Sequence, residues 1–260
     1  MDNDDKQVGQ ILNRRDVLKI LGLGSAATLL AACAPEISET LSPTLSPTDI
    51  VPATETILQE ATSVANIPVC VVRPELTEGP YFVDEMLNRS DIRSDTSDGA
   101  ISQGAQFDLT FNVTQINDSG CAPLASAQVD IWHCDAAGVY SDAQDRSFNT
   151  VGKTFLRGYQ LTDANGVAKF TTIYPGWYDG RAVHIHFKIR INGYEFTSQL
   201  FFDDAFTDQV YLQEPYAAKG TRTLLNSQDN IFAESGNLLT LAVSPTSTGY
   251  AATFDIGLQI

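Results

Sequence analysis

The run YDGRAVHIHFKI, residues 178–189, alternates apolar and polar side chains over its second half. This alternation predicts a β-strand, because successive side chains of a strand point to opposite faces. His184 and His186 are two positions apart and therefore share a face, so that both imidazoles can bind the same metal ion. The chain has only three histidines, and imidazole is the commonest metal ligand, so the run predicts a metal site on a strand.

The same period of two continues outward from this run. Alternating apolar side chains predict strands around 107–113, 127–132, 158–162 and 167–173, and two late strands at 238–243 and 252–258. No long amphipathic helix is evident between them. The pattern therefore favours an all-β fold, an antiparallel β-sandwich, formed as a single domain by residues 67–260.

Two short segments have the composition of tight turns. DANG at 163–166 predicts a hairpin between the strands on either side of it, and Asn192-Gly193 predicts a second hairpin after the histidine strand. Hairpins of this kind pair neighbouring strands in antiparallel register. Both turns are therefore consistent with the predicted sandwich.

The first 33 residues have the features of an export signal. Arg14 and Arg15 precede an apolar run at 20–32, which is shorter than a membrane-spanning helix requires, and the pair resembles a Tat signal. LAAC at 30–33 resembles a lipobox, in which Cys33 would be acylated. The prediction is an exported cell-envelope lipoprotein facing the periplasm or the cell exterior, attached to the membrane only through the lipid on Cys33.

Residues 34–66 are rich in Thr, Ser, Pro and Glu and have no sustained periodicity, which predicts a flexible linker. The formal net charge of the chain is -16. A charge of this sign repels polyanions, so nucleic acid and anionic membrane surfaces are disfavoured as partners and neutral small molecules are favoured. Homo-oligomerisation remains open at this point.

Three cysteines remain if Cys33 carries a lipid. In an oxidising compartment this odd number predicts one disulfide and one free thiol. Cys121 and Cys134 flank the strand at 127–132, which separates them by more than a disulfide spans unless the chain folds back. The expected pair therefore uses Cys70, and Cys134 is the favoured partner.

Two tyrosines occur where predicted strands end in turns. Tyr140 follows a Gly-containing turn after the strand at 127–132, and Tyr178 follows Pro175-Gly176 after the strand at 167–173. Taken alone, either tyrosine is more typical of a packed aromatic residue at a strand end than of a metal ligand.

Taken together, these segments resemble the active-site motifs of the intradiol ring-cleavage dioxygenases, the family of catechol 1,2-dioxygenase and protocatechuate 3,4-dioxygenase. The resemblance extends from about Cys70 to Gln199, with looser similarity to the end of the chain. The segments that carry it are WH at 132–133, GVYS at 138–141, PGWY at 175–178, RAVHIHF at 181–187 and TEGPYF at 77–82.

The resemblance implies a single catalytic domain that binds a non-haem Fe(3+) ion. Phenolates are hard, anionic donors, and two of them suit Fe(3+) better than Fe(2+) or Zn(2+). Tyr178 would be the ligand that the substrate displaces, so that its phenolate doubles as a general base. The ligands that the resemblance assigns are Tyr140, Tyr178, His184 and His186.

The resemblance also implies the substrate and the residues that face it. Arg181 and Gln199 would act on the substrate, with Pro80 and Tyr81 as further substrate contacts. The expected reaction is cleavage by O2 of a catechol-type aromatic, a small aromatic diol, to a cis,cis-muconate-type diacid. This is a step of aromatic compound catabolism.

Two other readings of the sequence stay open. Three histidines can hold a catalytic zinc ion, so His133, His184 and His186 are compatible with a zinc hydrolase. A tethered β-sandwich can also bind an aromatic, a glycan or a protein without catalysis, because a fold alone does not establish a function.

Overall fold

The computed structural model describes residues 70–118 and 120–260. The predicted signal at 1–33, with Arg14, Arg15 and Cys33, and the predicted linker at 34–66 lie outside the described residues.

The described residues form nine strands in two sheets. In the first sheet the order is β2-β1-β9-β8, and β5 pairs with residues 106–112 of β1, whereas β2 pairs with residues 114–117. In the second sheet the order is β4-β3-β6-β7. The strands are β1 Gln106–Asn117, β2 Gly120–Pro123, β3 Gln128–Trp132, β4 Arg157–Leu161, β5 Val167–Ile173, β6 His184–Ile191, β7 Tyr194–Phe201, β8 Ser244–Pro245 and β9 Gly249–Leu258.

Two short α-helices, α1 (Asp204–Val210) and α2 (Asn230–Ser235), follow the second sheet. Each begins at an aspartate whose side chain accepts backbone N–H groups of the first turn, Asp203 for α1 and Asp229 for α2. This is the usual role of aspartate at a helix N-cap. No helix in the described part of the chain has the length and hydropathy that a membrane span requires.

Aromatic side chains from both sheets meet between them. The ring of Phe187 on β6 lies 5.4 Å from that of Phe111 on β1 and 5.4 Å from that of Phe254 on β9. All three are at most 2% exposed. Burial of each contributes about 1.5–3 kcal/mol to folding. The all-β sandwich predicted from the sequence is confirmed, with a core between the two sheets.

The pairing of the strands differs from a purely antiparallel sandwich in one place. β1 and β9 run parallel over their length, whereas every other pair of strands is antiparallel among the described residues. Parallel neighbours need a long connection. Here almost the whole domain separates the two strands in sequence, and alternation alone gives no information on such a pairing.

The turn at 163–166 forms, but the hairpin predicted around it is wrong. Gly166 has a φ of +75°, and the Asp163 side chain accepts the N–H groups of Asn165 and Val167. However, β4 pairs with β3 and β5 pairs with β1, so this turn carries the chain from one sheet to the other. The residues of a turn determine that the chain reverses there, whereas the packing of the core determines which strands pair.

The second predicted hairpin is confirmed, because Asn192-Gly193 joins β6 and β7 with Ile191 opposite Tyr194. The strand predicted at 238–243 is wrong. Its start lies in a 3-10 turn, Gly236–Leu238, and its middle makes one isolated parallel bridge with the end of β7, where Leu241 N–H donates to the Phe201 carbonyl at 2.8 Å. The apolar residues there fill the space beside the second sheet without forming a ladder.

The disulfide differs from the predicted one. Cys70 pairs with Cys121, and their Cα atoms are 5.5 Å apart. Cys134 is free and buried, and its thiol donates to the Gly176 carbonyl at 3.4 Å. Because β2 folds back along β1, Cys121 lies opposite Ile116 in the first sheet, whereas Cys134 follows β3 in the second. The expectation of Cys70 is correct and that of Cys134 is wrong.

Candidate metal centre

Strand β6 carries the two histidines side by side on one face. His184 Nε2 and His186 Nε2 are 2.9 Å apart, and both side chains are at most 2% exposed. Ile185 and Phe187 point to the opposite face, into the core. His184 Nδ1 donates to the Ala182 carbonyl at 2.6 Å, so the lone pair of that ring lies on Nε2.

Neighbouring groups hold the imidazole of His186 in place. The Trp132 ring on β3 stacks on it with centroids 5.0 Å apart and an angle of 8°. On another side lies Gly79, where a Cβ would come within 3.0 Å of His186 Cε1. Gly79 also has a φ of +74°, so this position suits glycine for two reasons.

Tyr140 reaches the histidines from the turn that follows β3. Gly138, with a φ of +81°, makes this turn, and Asp135 Oδ1 accepts the N–H groups of Ala137 and Val139. The Tyr140 hydroxyl lies 3.4 Å from His184 Nε2, and the side chain is 1% exposed.

Tyr178 comes from the segment after β5 and packs against the first turn. A Cβ at Gly176 would lie 2.3 Å from the Asp135 carbonyl oxygen, so only glycine allows this approach of the two backbones. The Tyr178 hydroxyl lies 3.3 Å from His184 Nε2, and its ring is half-buried.

The four side chains therefore bring two phenol and two imidazole groups together. Donors that each lie about 2 Å from one ion, at roughly right angles, are about 3 Å apart. The separations of 2.9, 3.3 and 3.4 Å from His184 Nε2 agree with that spacing. The single lone pair of His184 Nε2 can accept only one good hydrogen bond, whereas one cation can bind all four groups at once. The arrangement fits a metal ion, and the two phenolates suit Fe(3+).

The electrostatics of the site agree with this fit. Burial, followed by the charge of Arg181, lowers the pKa of His184, and burial lowers the pKa of His186 well below its usual value. Both rings are therefore neutral and can offer a lone pair. Burial, with Tyr178 next to it, raises the pKa of Tyr140 well above the usual value. The phenol of Tyr140 is therefore neutral in these surroundings, and it needs a bound cation in order to ionise.

His133 does not join this group. Its Nδ1 donates to the Cys134 carbonyl at 2.8 Å, and its Nε2 accepts the Thr172 hydroxyl at 2.7 Å. Both nitrogens are occupied inside the core, which argues against the three-histidine zinc site. The described residues contain no cluster of three or more His, Cys, Asp or Glu side chains that could bind a metal, so any site here needs the tyrosines.

Arg181 and Gln199 lie next to the histidines and bond each other. Gln199 is opposite His186 in the register of β6 and β7, and its Oε1 accepts Arg181 Nη2 at 2.5 Å. Its Nε2 donates to the Thr77 carbonyl at 2.9 Å. The amide of Gln199 therefore joins the arginine to the segment at 77–82.

The segment at 77–82 covers the site. Tyr81 stacks on Tyr140 with ring centroids 4.4 Å apart, and its hydroxyl donates to Asp145 Oδ2 at 2.9 Å. Pro80, which precedes it, is exposed. Tyr81 thus lies beside the donor set, and Pro80 lies at the surface next to it.

Two residues that the sequence did not single out also serve this region. Arg157 on β4 is 3% exposed; its Nε donates to Ser141 Oγ at 2.7 Å, its Nη1 to the Tyr81 carbonyl at 2.9 Å, and its Nη2 to the Ser141 carbonyl. It thereby ties together the residue after Tyr140 and the residue that stacks on it. Asp229, at the start of α2, binds Arg181. No local pattern marks either residue, because their partners are distant in sequence.

Fold and site together define a β-sandwich protein with a buried set of two tyrosines and two histidines. The pattern of the family described as "Dioxygenase" matches residues 77–259. A solved structure, the intradiol ring-cleavage dioxygenase from Tetranychus urticae, is 31% identical with a TM-score of 0.64, and the match covers 73% of this chain and 95% of that one. The chain belongs to the intradiol ring-cleavage dioxygenase family.

Two curated relatives carry more specific names. Hydroxyquinol 1,2-dioxygenase of Corynebacterium glutamicum is 30% identical over 43% of this chain and 39% of that protein. Catechol 1,2-dioxygenase of Candida albicans is 33% identical over 31% of each chain. The chain thus matches well under two thirds of the length of either relative.

Proposed function

We propose that this protein cleaves a catechol-type ring with O2 between the two hydroxyl-bearing carbons and forms a cis,cis-muconate-type diacid. The Fe(3+) ion would be held by Tyr140, Tyr178, His184 and His186. The observation that carries the proposal is the convergence of the four side chains, at 2.9–3.4 Å from His184 Nε2. When bound, Fe(3+) supplies the electron-accepting character that makes a catechol ring reactive toward O2.

Tyr178 is the tyrosine suited to exchange its place with a substrate oxygen. It is half-buried, whereas Tyr140 is 1% exposed and lies under the stacked ring of Tyr81. A released phenolate at Tyr178 Oη takes the proton of a catechol hydroxyl, which is general-base work. Tyr140 stays in place and supplies fixed negative charge.

Arg181 supplies positive charge beside the reacting ring. Burial alone would lower its pKa, but Tyr178 and Asp229 outweigh burial and raise the pKa above its usual value. A guanidinium that is already oriented and desolvated stabilises negative charge on the substrate by about 2–4 kcal/mol, as an oxyanion-hole donor does. Gln199 keeps the guanidinium and the segment at 77–82 together.

The substrate is a neutral aromatic diol in this proposal. The net charge of -16 weakly repels anionic substrates, and Tyr81 offers an aromatic face at the site. Pro80 and Tyr81 are the proposed substrate contacts, together with Arg181. Catechol, substituted catechols and hydroxyquinol meet these conditions, and carboxylated catechols meet them less well.

A substrate panel with product analysis tests the proposal. The iron-loaded full-length chain should take up O2 with catechol or hydroxyquinol and release a ring-opened diacid. It should also have a broad visible tyrosinate-to-iron absorption band that shifts when catechol is added. A colourless protein that stays inert after loading with Fe(3+) would contradict the proposal, and catechol binding without O2 uptake would favour a non-catalytic binding module.

We also propose that the protein is an exported lipoprotein in the cell envelope. The support is the sequence at Arg14-Arg15 and at Cys33. Cys33→Ser should release the protein from the membrane fraction, and Arg14→Lys with Arg15→Lys should retain it in the cytoplasm. Membrane attachment of the Cys33→Ser chain, or normal export of the lysine variant, would contradict this part of the proposal.

A further inference from the structure

Asp229 is a buried carboxylate, 2% exposed, that accepts four hydrogen bonds. Its Oδ1 accepts the N–H groups of Ile231 at 2.8 Å and Phe232 at 3.2 Å, which caps α2. Its Oδ2 accepts Arg181 Nε at 3.0 Å and the Ala182 N–H at 2.7 Å. One oxygen therefore serves the helix, and the other serves the segment that leads into the histidine strand.

Arg181 needs a tertiary contact of this kind. It follows the exposed residues Asp179 and Gly180 and precedes by three positions the first residue of β6, His184. The strand ladder therefore does not fix its backbone. The bonds to Asp229 and Gln199 use Nε and Nη2, and Nη1 has no hydrogen-bond partner among the described residues.

The same carboxylate also acts on the backbone behind His184. Ala182 donates its N–H to Asp229 Oδ2, and its carbonyl accepts His184 Nδ1. The Ala182 peptide thus connects the carboxylate to the imidazole in two hydrogen bonds. Groups that orient metal ligands and catalytic side chains in this way have large effects on activity without touching the substrate.

We infer that Asp229 is a positioning residue for the ring cleavage, which fixes the guanidinium of Arg181 beside the metal donors and leaves Nη1 for the substrate. The inference rests on the proposed function for its effect on turnover. The geometry at Arg181 itself is independent of that function.

The substitution Asp229→Asn separates positioning from helix capping. Asparagine is as good an N-cap as aspartate, so α2 keeps its cap. The NH2 group of the new asparagine would then face Arg181 Nε–H and Ala182 N–H. All of these groups are hydrogen-bond donors, so both bonds would be lost. The matched control is Asp203→Asn, because Asp203 caps α1 by the same kind of bond and is exposed.

Turnover of the iron-loaded full-length chain is the first readout. Asp229→Asn should lower kcat with catechol by about 10- to 100-fold with little change in KM or iron content. Asp203→Asn should leave kcat unchanged. In an Arg181→Gln background, Asp229→Asn should cost clearly less activity than in the wild-type chain, because most of its effect acts through that guanidinium and only the bond to Ala182 remains to be lost. An equal loss in both backgrounds would overturn the inference.

The second readout does not depend on activity. In ¹⁵N NMR spectra of the protein without metal, Arg181 Nε–H should give a slowly exchanging signal, assigned by its loss in Arg181→Lys. The signal should persist in Asp203→Asn and disappear in Asp229→Asn. A signal that persists in Asp229→Asn would contradict the inference. If the wild-type chain cleaves no catechol, the proposed function fails while this spectrum still decides the role of Asp229.

Discussion

The two histidines and the two tyrosines of the candidate site are held by different parts of the fold. His184 and His186 lie on β6, which has β3 on one side and β7 on the other. Tyr140 and Tyr178 lie outside the strands, in segments that follow β3 and β5. The backbone ladder fixes the first pair, whereas contacts between distant side chains and turns fix the second.

This difference separates the ligands that the strand holds in place from those on turns, one of which can move. The strand holds the two imidazoles side by side, with their Nε2 atoms 2.9 Å apart. The two turns are tied to each other by Lys219, whose ammonium group donates to the carbonyls of Ala137 and Trp177. Of the two tyrosines, Tyr140 is covered by Tyr81, whereas Tyr178 is half-buried and has the more open surroundings. Tyr178 is therefore the tyrosine suited to move in the proposed reaction.

The largest effect is expected from the strand pair. His186→Ala should abolish iron binding and activity, because it removes a donor that no neighbour replaces. His133→Gln is the matched control, since both ring nitrogens of His133 are engaged by Cys134 and Thr172 in the core. Iron content and O2 uptake measure both variants. Loss of iron in His133→Gln with retention in His186→Ala would reverse the assignment.

The turn tyrosines should differ from each other. Tyr178→Phe removes the group proposed as general base, so kcat should fall by about 100-fold or more while part of the iron is retained. Tyr140→Phe removes a fixed buried donor and should lower iron affinity more strongly. Iron titration and steady-state kinetics separate the two effects. Equal iron affinity and equal kcat for the two variants would show that the positions are equivalent.

Arg157 tests how the Tyr140 turn is held. Arg157→Met leaves the Ser141 and Tyr81 carbonyls without their donor, which should lower the free energy of unfolding by about 1–3 kcal/mol for each carbonyl. Arg93→Met is the control, because Arg93 pairs with Asp91 near the surface and such pairs contribute about 0–1 kcal/mol. Urea unfolding measures both. Similar losses in the two variants would show that Arg157 is not a support of the turn.

The third histidine predicts a pH effect that does not involve the site. Burial lowers the pKa of His133 to about 4 from its usual 6.5. The unfolded chain therefore binds this proton more readily, so stability falls as the pH drops from 6.5 toward 4, by up to about 3 kcal/mol. His133→Gln should have a shallower loss over this range in unfolding experiments. An unchanged pH dependence would contradict the account of His133.

The features that lie on strands could be predicted from the sequence, whereas most of those that depend on turns could not. The period of two around His184 predicted the strand, the shared face and the sandwich, all of which depend on local alternation. Asn192-Gly193 predicted a hairpin that forms, because the core also places β6 and β7 together. The segment at 163–166 made its turn but joined two sheets, since the pairing of β5 with β1 depends on residues far along the chain.

The turn residues could not be assigned from spacing. Tyr140 and Tyr178 became candidates only through the family resemblance, because their approach depends on Gly176 packing against the Asp135 carbonyl. Asp229 and Arg157 left no local signal at all. The wrong partner for Cys70 has the same origin, because the fold-back of β2 along β1 decides where Cys121 lies.

The central claim is that these four side chains support insertion of O2 into a catechol ring. The most direct test is single-turnover oxidation of catechol by the iron-loaded chain under ¹⁸O₂, with mass spectrometry of the product. The expected product is cis,cis-muconate that carries both ¹⁸O atoms of one O2 molecule. A semialdehyde formed by cleavage beside the diol, or a ring that remains closed, would contradict it.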